Sequence, residues 1–376
     1  LVIAIISPVF ISIRTPAPPE KDAFVAIAEI ESYIFFCILL SIESFIFSPK
    51  LQTISTSAFS NTLISELKLP EDLIHIKSNA FTDTPLKKVT LPPKLEEIGA
   101  SAFQNTRLTE ITTPPTLKVL GTGAFSEIPT LIRAQVQGDL LEIPHKLFYK
   151  NSSLFSVSIP NSVKEIDSWA FADAIKLTEI NFPGNLITIG AYAFHETNLR
   201  TLGILPDTLI YIDNGAFSDC TNLVLVRMPN NVSYIGDWAF AGNTNIASLE
   251  LNPRLKSIGA YAFHKNKQLR RVQLPNSVKT VGDYAFSQNE KLMNVVLGET
   301  VTVVGVGSFS DNASLSGVNL GKSIETIGDS AFANNPLLES ITIPNSTRFI
   351  GRLAFANNPK LSTVNLGLNI QVIGSD

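Results

Sequence analysis

The 376-residue sequence predicts a repeat solenoid of about 14 coils, 22–23 residues each, with few or no regular helices in the array. Two observations carry that prediction. Phe recurs as Phe59, Phe81, Phe103, Phe125, Phe148, Phe171, Phe194, Phe217, Phe240, Phe263, Phe286, Phe309, Phe332 and Phe355, spaced by 22 for the first three steps and by 23 for the remaining ten. The preceding residue is Ala except at Leu147 and Ser308. Each copy also carries a short apolar alternation, in most copies followed by Pro. A unit this short cannot enclose a core, so it must bury its apolar residues against the copies before and after it. Function should therefore lie on a surface, not in a single pocket.

Composition agrees. Charged residues are 16% of the chain and the formal net charge is −4, against about 25% charged residues in typical domains. Nothing is basic enough for a nucleic-acid partner. Ser, Thr and Asn restore the polarity and suit turns and hydrogen-bonded ladders. Cys37 and Cys220 are the only cysteines. They provide no disulfide framework or zinc site, and both are expected to be buried free thiols.

Residues 1–48 differ from the rest. Residues 1–13 are mostly apolar, Thr15 to Pro19 break the run, and a second apolar stretch follows from Ser32 to Ile42. Neither reaches the roughly 18 residues of a membrane span. The favoured reading is a cap or degenerate repeats covering the open end of the solenoid. A targeting remnant without its basic n-region, and a poorly ordered or mis-framed segment, are the alternatives.

Within the array (residues 49–376), the copy from Pro160 to Phe182 shows each element in turn. Proline cannot donate to a ladder, so it ends one strand and starts the turn. Val/Leu-x-x-Ile-Gly follows, as in Val278 to Gly282, and reads as a second, shorter extended segment with a bend that glycine eases. Ala-Phe then plugs the interior, making Phe171, Phe194, Phe217, Phe240, Phe263, Phe286, Phe309, Phe332 and Phe355 a structural spine. Three residues later, Asn151, Asn243, Asn266, Asn289, Asn312, Asn335 and Asn358, with Cys220, form a column expected to satisfy buried backbone groups. The stretch Leu-x-x-Ile-x-Phe closes the copy as a strand that turns Ile180 and Phe182 inward and Asn181 outward. Around Gly203 this register is ambiguous by one residue.

The unit Leu-Pro-x-x-Val/Leu-x-x-Ile-Gly-x-x-Ala-Phe-x-x-Asn-x-x-Leu-x-x-Val-x-Leu is complete from Leu274 to Leu297, with Val281 in place of Ile. It resembles the BspA-like, or Treponema-type, leucine-rich repeats. The family often has Cys where this chain mostly has Asn, and only Cys220 keeps it. The resemblance implies a right-handed, curved solenoid with a parallel sheet along one side. It also implies a non-enzymatic protein-binding array. Members are frequently found on the surfaces of bacteria and of parasitic or commensal protists, where some serve in adhesion. A cell-surface or extracellular location, and a protein or glycoprotein ligand on host matrix or another cell, are expected on that ground. An intracellular interaction scaffold is the alternative.

Outward strand positions are the natural contact points. Leu225, Arg227, Glu250, Arg271, Gln273 and Asn319 form the candidate partner-binding face, with Arg among the types most enriched in hot spots. No catalytic, cofactor-binding or metal-ligating residue is predicted, and no small-molecule substrate. His75, His145, His195 and His264 lack a catalytic partner at a defined spacing, and no phosphate loop, His-Glu-x-x-His or Gly-x-Ser-x-Gly occurs. His195 and His264, each directly after a repeat Phe, read as surface positions. Of the sequons at Asn151, Asn231, Asn312 and Asn345, the first and third belong to the interior column and should be closed to glycans. The chain reads as cut within a repeat at its C-terminus, so membrane attachment would depend on regions outside it.

Overall fold

The computed structural model describes residues 2–4, 10–12 and 45–375. Val2–Ala4 and Phe10–Ser12 pair antiparallel; Cys37 and most of residues 1–48 lie outside the described residues. The rest is a parallel β-solenoid with no helix among the described residues, and hence none long and apolar enough to cross a membrane. It divides into two compact units.

The first unit comprises residues 45–163 and Ala170–Asn181. Its three-residue strands Glu110–Thr112, Arg133–Gln135 and Ser156–Ser158 stack in parallel with Glu179–Ile180. Their central side chains Ile111, Ala134 and Val157 are buried and the flanking ones face outward. A second row runs through Thr53–Ile54, His75–Ile76, Glu97–Ile98 and Val119–Leu120. At its beginning, Phe45 packs edge-on against Phe59 at 4.8 Å between ring centroids.

In the second unit, Lys164–Trp169 with residues 182–375, the two rows have unequal continuity. The two-residue strands, whose second residue is Ile or Val, form one unbroken parallel ladder from Glu165–Ile166 to Val372–Ile373. The three-residue strands, on the Leu-x-x-Val-x-Leu stretch, form three short sheets. These are Leu225–Arg227 with Ser248–Glu250, then Arg271–Gln273, Asn294–Val296 and Gly317–Asn319, then Ser340–Thr342 with Thr363–Asn365. The parallel sheet expected on that stretch is present, but the more continuous ladder belongs to the shorter segment.

The Ala-Phe arc supplies a third ladder without being a strand. Tyr261 N–H donates to the Asp283 carbonyl (2.7 Å), Phe263 to Ala285 (2.8 Å) and Lys265 to Ser287 (3.1 Å), all in the next coil. The intervening N–H groups turn back within their own coil, His264 to the Tyr261 carbonyl at 3.0 Å. Alternate peptides must therefore point along and across the solenoid. The backbone achieves this with left-handed residues two before and two after each Phe, such as Tyr261 (φ 56°) and Lys265 (φ 59°), or Asn79 (φ 57°) and Asp83 (φ 59°).

The glycine of Ile-Gly serves a purpose other than the expected freedom of φ. Gly282 is not left-handed, yet a Cβ there would stand 2.5 Å from the Ala260 nitrogen. Close approach of one coil's backbone to the next excludes a side chain. Inside, the Phe rings stack face to face, 5.2–5.8 Å apart and 3–14° from parallel from Phe194 to Phe355. From Phe59 to Phe171 they are 5.2–6.0 Å apart. Phe81 through Phe332 are wholly buried, and Phe59 nearly so.

Candidate partner-binding face

Strand alternation places every predicted outward residue on the surface. Arg227, Glu250, Arg271, Gln273 and Asn319 are exposed and Leu225 is half-buried. The structure groups them in two sets. Leu225, Arg227 and Glu250 share one two-stranded sheet, where Arg227 and Glu250 are direct cross-strand partners. Arg227 Nε donates to Glu250 Oε2 at 2.7 Å and its Nη2 to Oε1 at 3.4 Å. This contact holds the Glu250 carboxyl below its usual range and raises the Arg227 guanidinium. Both groups are open to water, so the pair orients two side chains more than it stabilises the fold. Arg271, Gln273 and Asn319 lie on the next sheet. Arg271 Nη2 donates to Gln273 Oε1 at 3.3 Å, and Val296 separates Gln273 from Asn319 across the strands.

The interior column is a hydrogen-bonded ladder. Asn266 Nδ2 donates to the Phe240 carbonyl (3.0 Å), while its backbone N–H donates to Asn289 Oδ1 (2.7 Å) of the following coil. The backbone link repeats from Asn289 to Asn312, Asn335 and Asn358, whereas Asn312 Nδ2 donates to the carbonyl of its own Phe309 at 2.8 Å. Cys220 Sγ donates to the Phe194 carbonyl at 3.0 Å, so the thiol does the same work as the amide. Burial pushes that thiol up to about 12, and it stays protonated and unreactive at neutral pH. Asn151 and Asn312 are fully buried, which closes those two sequons in the folded chain.

The surface reading of the two histidines needs correction. His264 is buried, and His195 is half-buried. Each lies over the serine one coil on, His264 Nδ1 to Ser287 Oγ at 2.7 Å and His195 Nδ1 to Ser218 Oγ at 2.8 Å. Ser287 gives its own proton to the Tyr284 carbonyl at 2.9 Å, so Nδ1 of His264 carries the hydrogen and donates. Burial, with Lys265 beside it, lowers the His264 imidazole to about 4.

Sequence reasoning passed over a row of aromatic side chains on the Ala-Phe arc. Trp169 stacks on Tyr192 at 4.6 Å, and Trp238, Tyr261 and Tyr284 stack in series at 4.1 and 4.9 Å. All occupy left-handed positions two residues before the Phe. Each tract ends at a glycine beneath the last ring, for a Cβ on Gly215 or Gly307 would fall 2.4 or 2.3 Å from the Tyr192 or Tyr284 ring. Reading the sequence at a period of 23 from Trp169 would have shown Trp, Tyr, Gly, Trp, Tyr, Tyr, Gly.

The stacked coils, the Phe spine and the Asn/Cys column now have a counterpart among known families. The model for the BspA type leucine rich repeat region matches in six copies, over residues 28–155, 141–270 and 256–376. The chain belongs to the BspA-type leucine-rich repeat family. Its solenoid is similar to that of a leucine-rich repeat protein from Bacteroides ovatus, with 22% identity, a TM-score of 0.68, and coverage of 86% of this chain and 89% of that one. The pneumococcal vaccine antigen PcpA shares 18% identity with this BspA-type chain, over 84% of each, with a TM-score of 0.46. The leucine-rich repeat protein of T. pallidum shares 24% identity over 50% of this chain and 80% of its own, with a TM-score of 0.38. Among curated proteins none matches the chain.

Proposed function

We propose that this BspA-type array is a non-enzymatic protein-binding domain of a cell-surface or secreted protein, acting in adhesion through its outward strand face. One observation supports this reading above the others: the second unit presents Arg227, Glu250, Arg271 and Gln273 exposed at fixed intervals on a backbone held by three ladders. Such a surface is pre-organised, and a partner that binds it orders few side chains beyond its own. The surface location and the host-matrix or cellular ligand rest on the family's habits.

The test is binding of the full chain to immobilised matrix proteins and to whole cells, with Arg227→Glu and Arg271→Glu combined in one variant. Saturable binding should weaken by about tenfold or more in the variant, with an unchanged thermal melt. Absence of binding to every matrix protein and cell type, together with cytosolic residence of the native protein, would sink the proposal.

A further inference from the structure

Beyond the strand face, we propose a second binding site, for an extended acidic peptide segment, in the groove bounded by Lys164, Arg254 and Lys256. The groove lies in the second unit, at the turns that lead into the two-residue strands, and has a volume of about 660 Å³. Lys164 stands at one end and Arg254 with Lys256 at the other, all three exposed. Ile187 and Ile210, half-buried, form an apolar floor between them. No carboxylate lines the groove.

The same two rows of positions in the first unit provide an internal control. The residues seven and nine before each Phe there include Lys94, Asp72, Lys118 and Glu96. Lys94 Nζ meets Asp72 Oδ1 at 2.6 Å and Lys118 Nζ meets Glu96 Oε1 at 2.9 Å. Both of these cations are neutralised one coil away, while Lys50, nine before Phe59, forms no ion pair among the described residues. In the groove this pairing is missing: among the described residues, Lys164, Arg254 and Lys256 form no ion pair. Arg254 Nη1 donates to the neutral Asn231 Oδ1 at 2.6 Å. Two carboxylates are next in sequence to lining residues: Glu165 is the exposed first residue of the strand Glu165–Ile166, and Asp207 is occupied by the backbone and side-chain amides of Asn230 at 2.9 and 3.2 Å.

Charge and spacing identify the occupant. Four coils separate Lys164 from Lys256, which at about 4.8 Å per coil is roughly 19 Å, or about six residues of extended chain at ~3.3 Å each. A segment with acidic residues at both ends and apolar side chains between them satisfies the cations and covers the isoleucines. A sulfated polysaccharide would satisfy only the cations. The apolar floor therefore favours the peptide.

The probe is a fluorescein-labelled peptide, Glu-Asp-Val-Ile-Val-Asp-Glu, titrated with the full chain by fluorescence anisotropy. Its counterpart with Lys at every acidic position and a heparin-type hexasaccharide serve as comparisons. Saturable binding of the acidic peptide is expected, weakened about tenfold by Lys164→Glu and by Arg254→Glu with Lys256→Glu. Ile210→Asp should weaken it as well. The strand-face variant carrying Arg227→Glu and Arg271→Glu should bind it within about twofold of the parent chain, so the two sites fail separately. Equal binding of the lysine peptide, affinity unchanged by every groove variant, or binding of the hexasaccharide without the peptide would each overturn the proposal.

Discussion

The coils from Phe59 to Phe103 and most of those from Phe217 onward solve one problem in two ways. Each must satisfy the carbonyl of its buried Phe. In the early coils a threonine does so locally: Thr62, Thr84 and Thr106 donate Oγ1–H to the carbonyl of their own Phe at 2.8–2.9 Å. In later coils the asparagine of the following coil reaches across to Phe217, Phe240, Phe309 and Phe332, as Asn243 Nδ2 does to Phe217 at 2.9 Å and Asn335 to Phe309 at 3.0 Å. Chain length follows the choice. After the threonines the next buried aliphatic residue comes two positions on, as in Thr84 to Leu86; after the asparagines it comes three on, as in Asn266 to Leu269. A local bond closes a shorter turn and the coil has 22 residues. The amide that spans two coils goes with an additional turn residue and 23. What binds one coil to the next is thus divided differently along the chain, although the Phe stack is common to both.

Substitutions can break or sharpen that contrast. Phe263→Ala in a later coil and Phe81→Ala in an early one should each cost about 3–5 kcal/mol in denaturant unfolding. A large difference between the two would show that the spine is not common ground. Next comes pH. His264 is neutral in the folded chain because its value of about 4 lies below that of the unfolded chain, about 6.5. The unfolded state binds the extra proton between those limits. Stability from this group is complete above about pH 6.5 and is lost as pH falls toward 4, by about 2–3 kcal/mol. A His264→Asn chain should lack that slope, and early coils carry Ser60, Thr82 and Gln104 at the same position.

Asn266→Ala should cost about 1–3 kcal/mol, because it leaves the buried Phe240 carbonyl of the preceding coil without its Nδ2 donor. Thr84→Ala should cost about 1 kcal/mol, the loss of one local bond. If the threonine proves the costlier, the assignment of local and inter-coil roles is reversed. At the small end, Gln273→Ala on the strand face should stay within about 0.5 kcal/mol, measured by the same unfolding curves.

The repeat, the spine and the interior column were legible in the sequence because each rests on one residue type at one period. Residues whose roles depend on the neighbouring coil were harder to read. His264 follows the Phe directly and looked exposed, but its environment is Ser287, a residue 23 positions away. The unpaired cations of the groove are recognisable only against the paired rows at Lys94 and Lys118. Gly203 was ambiguous for a reason present in the sequence all along. Its coil has Thr197, with Leu199 two residues later, and so is an early-type coil inside the 23-residue series.

That coil makes up its missing residue in the strand. Thr201 pairs with Leu225, 24 positions on, and Ile204 is left 95% exposed beside the left-handed Gly203. The stacked rings keep phase across it while the outer strand row slips by one. In a strand, a slip of one residue exchanges the inward and outward sets. Here Leu202 and Val226 both stay buried, so the slip keeps the inward set, and the extra residue after the strand changes the exterior at Gly203 and Ile204 while the interior stays in step. Such an array can vary what it shows to a partner by changing chain length as well as by changing residues.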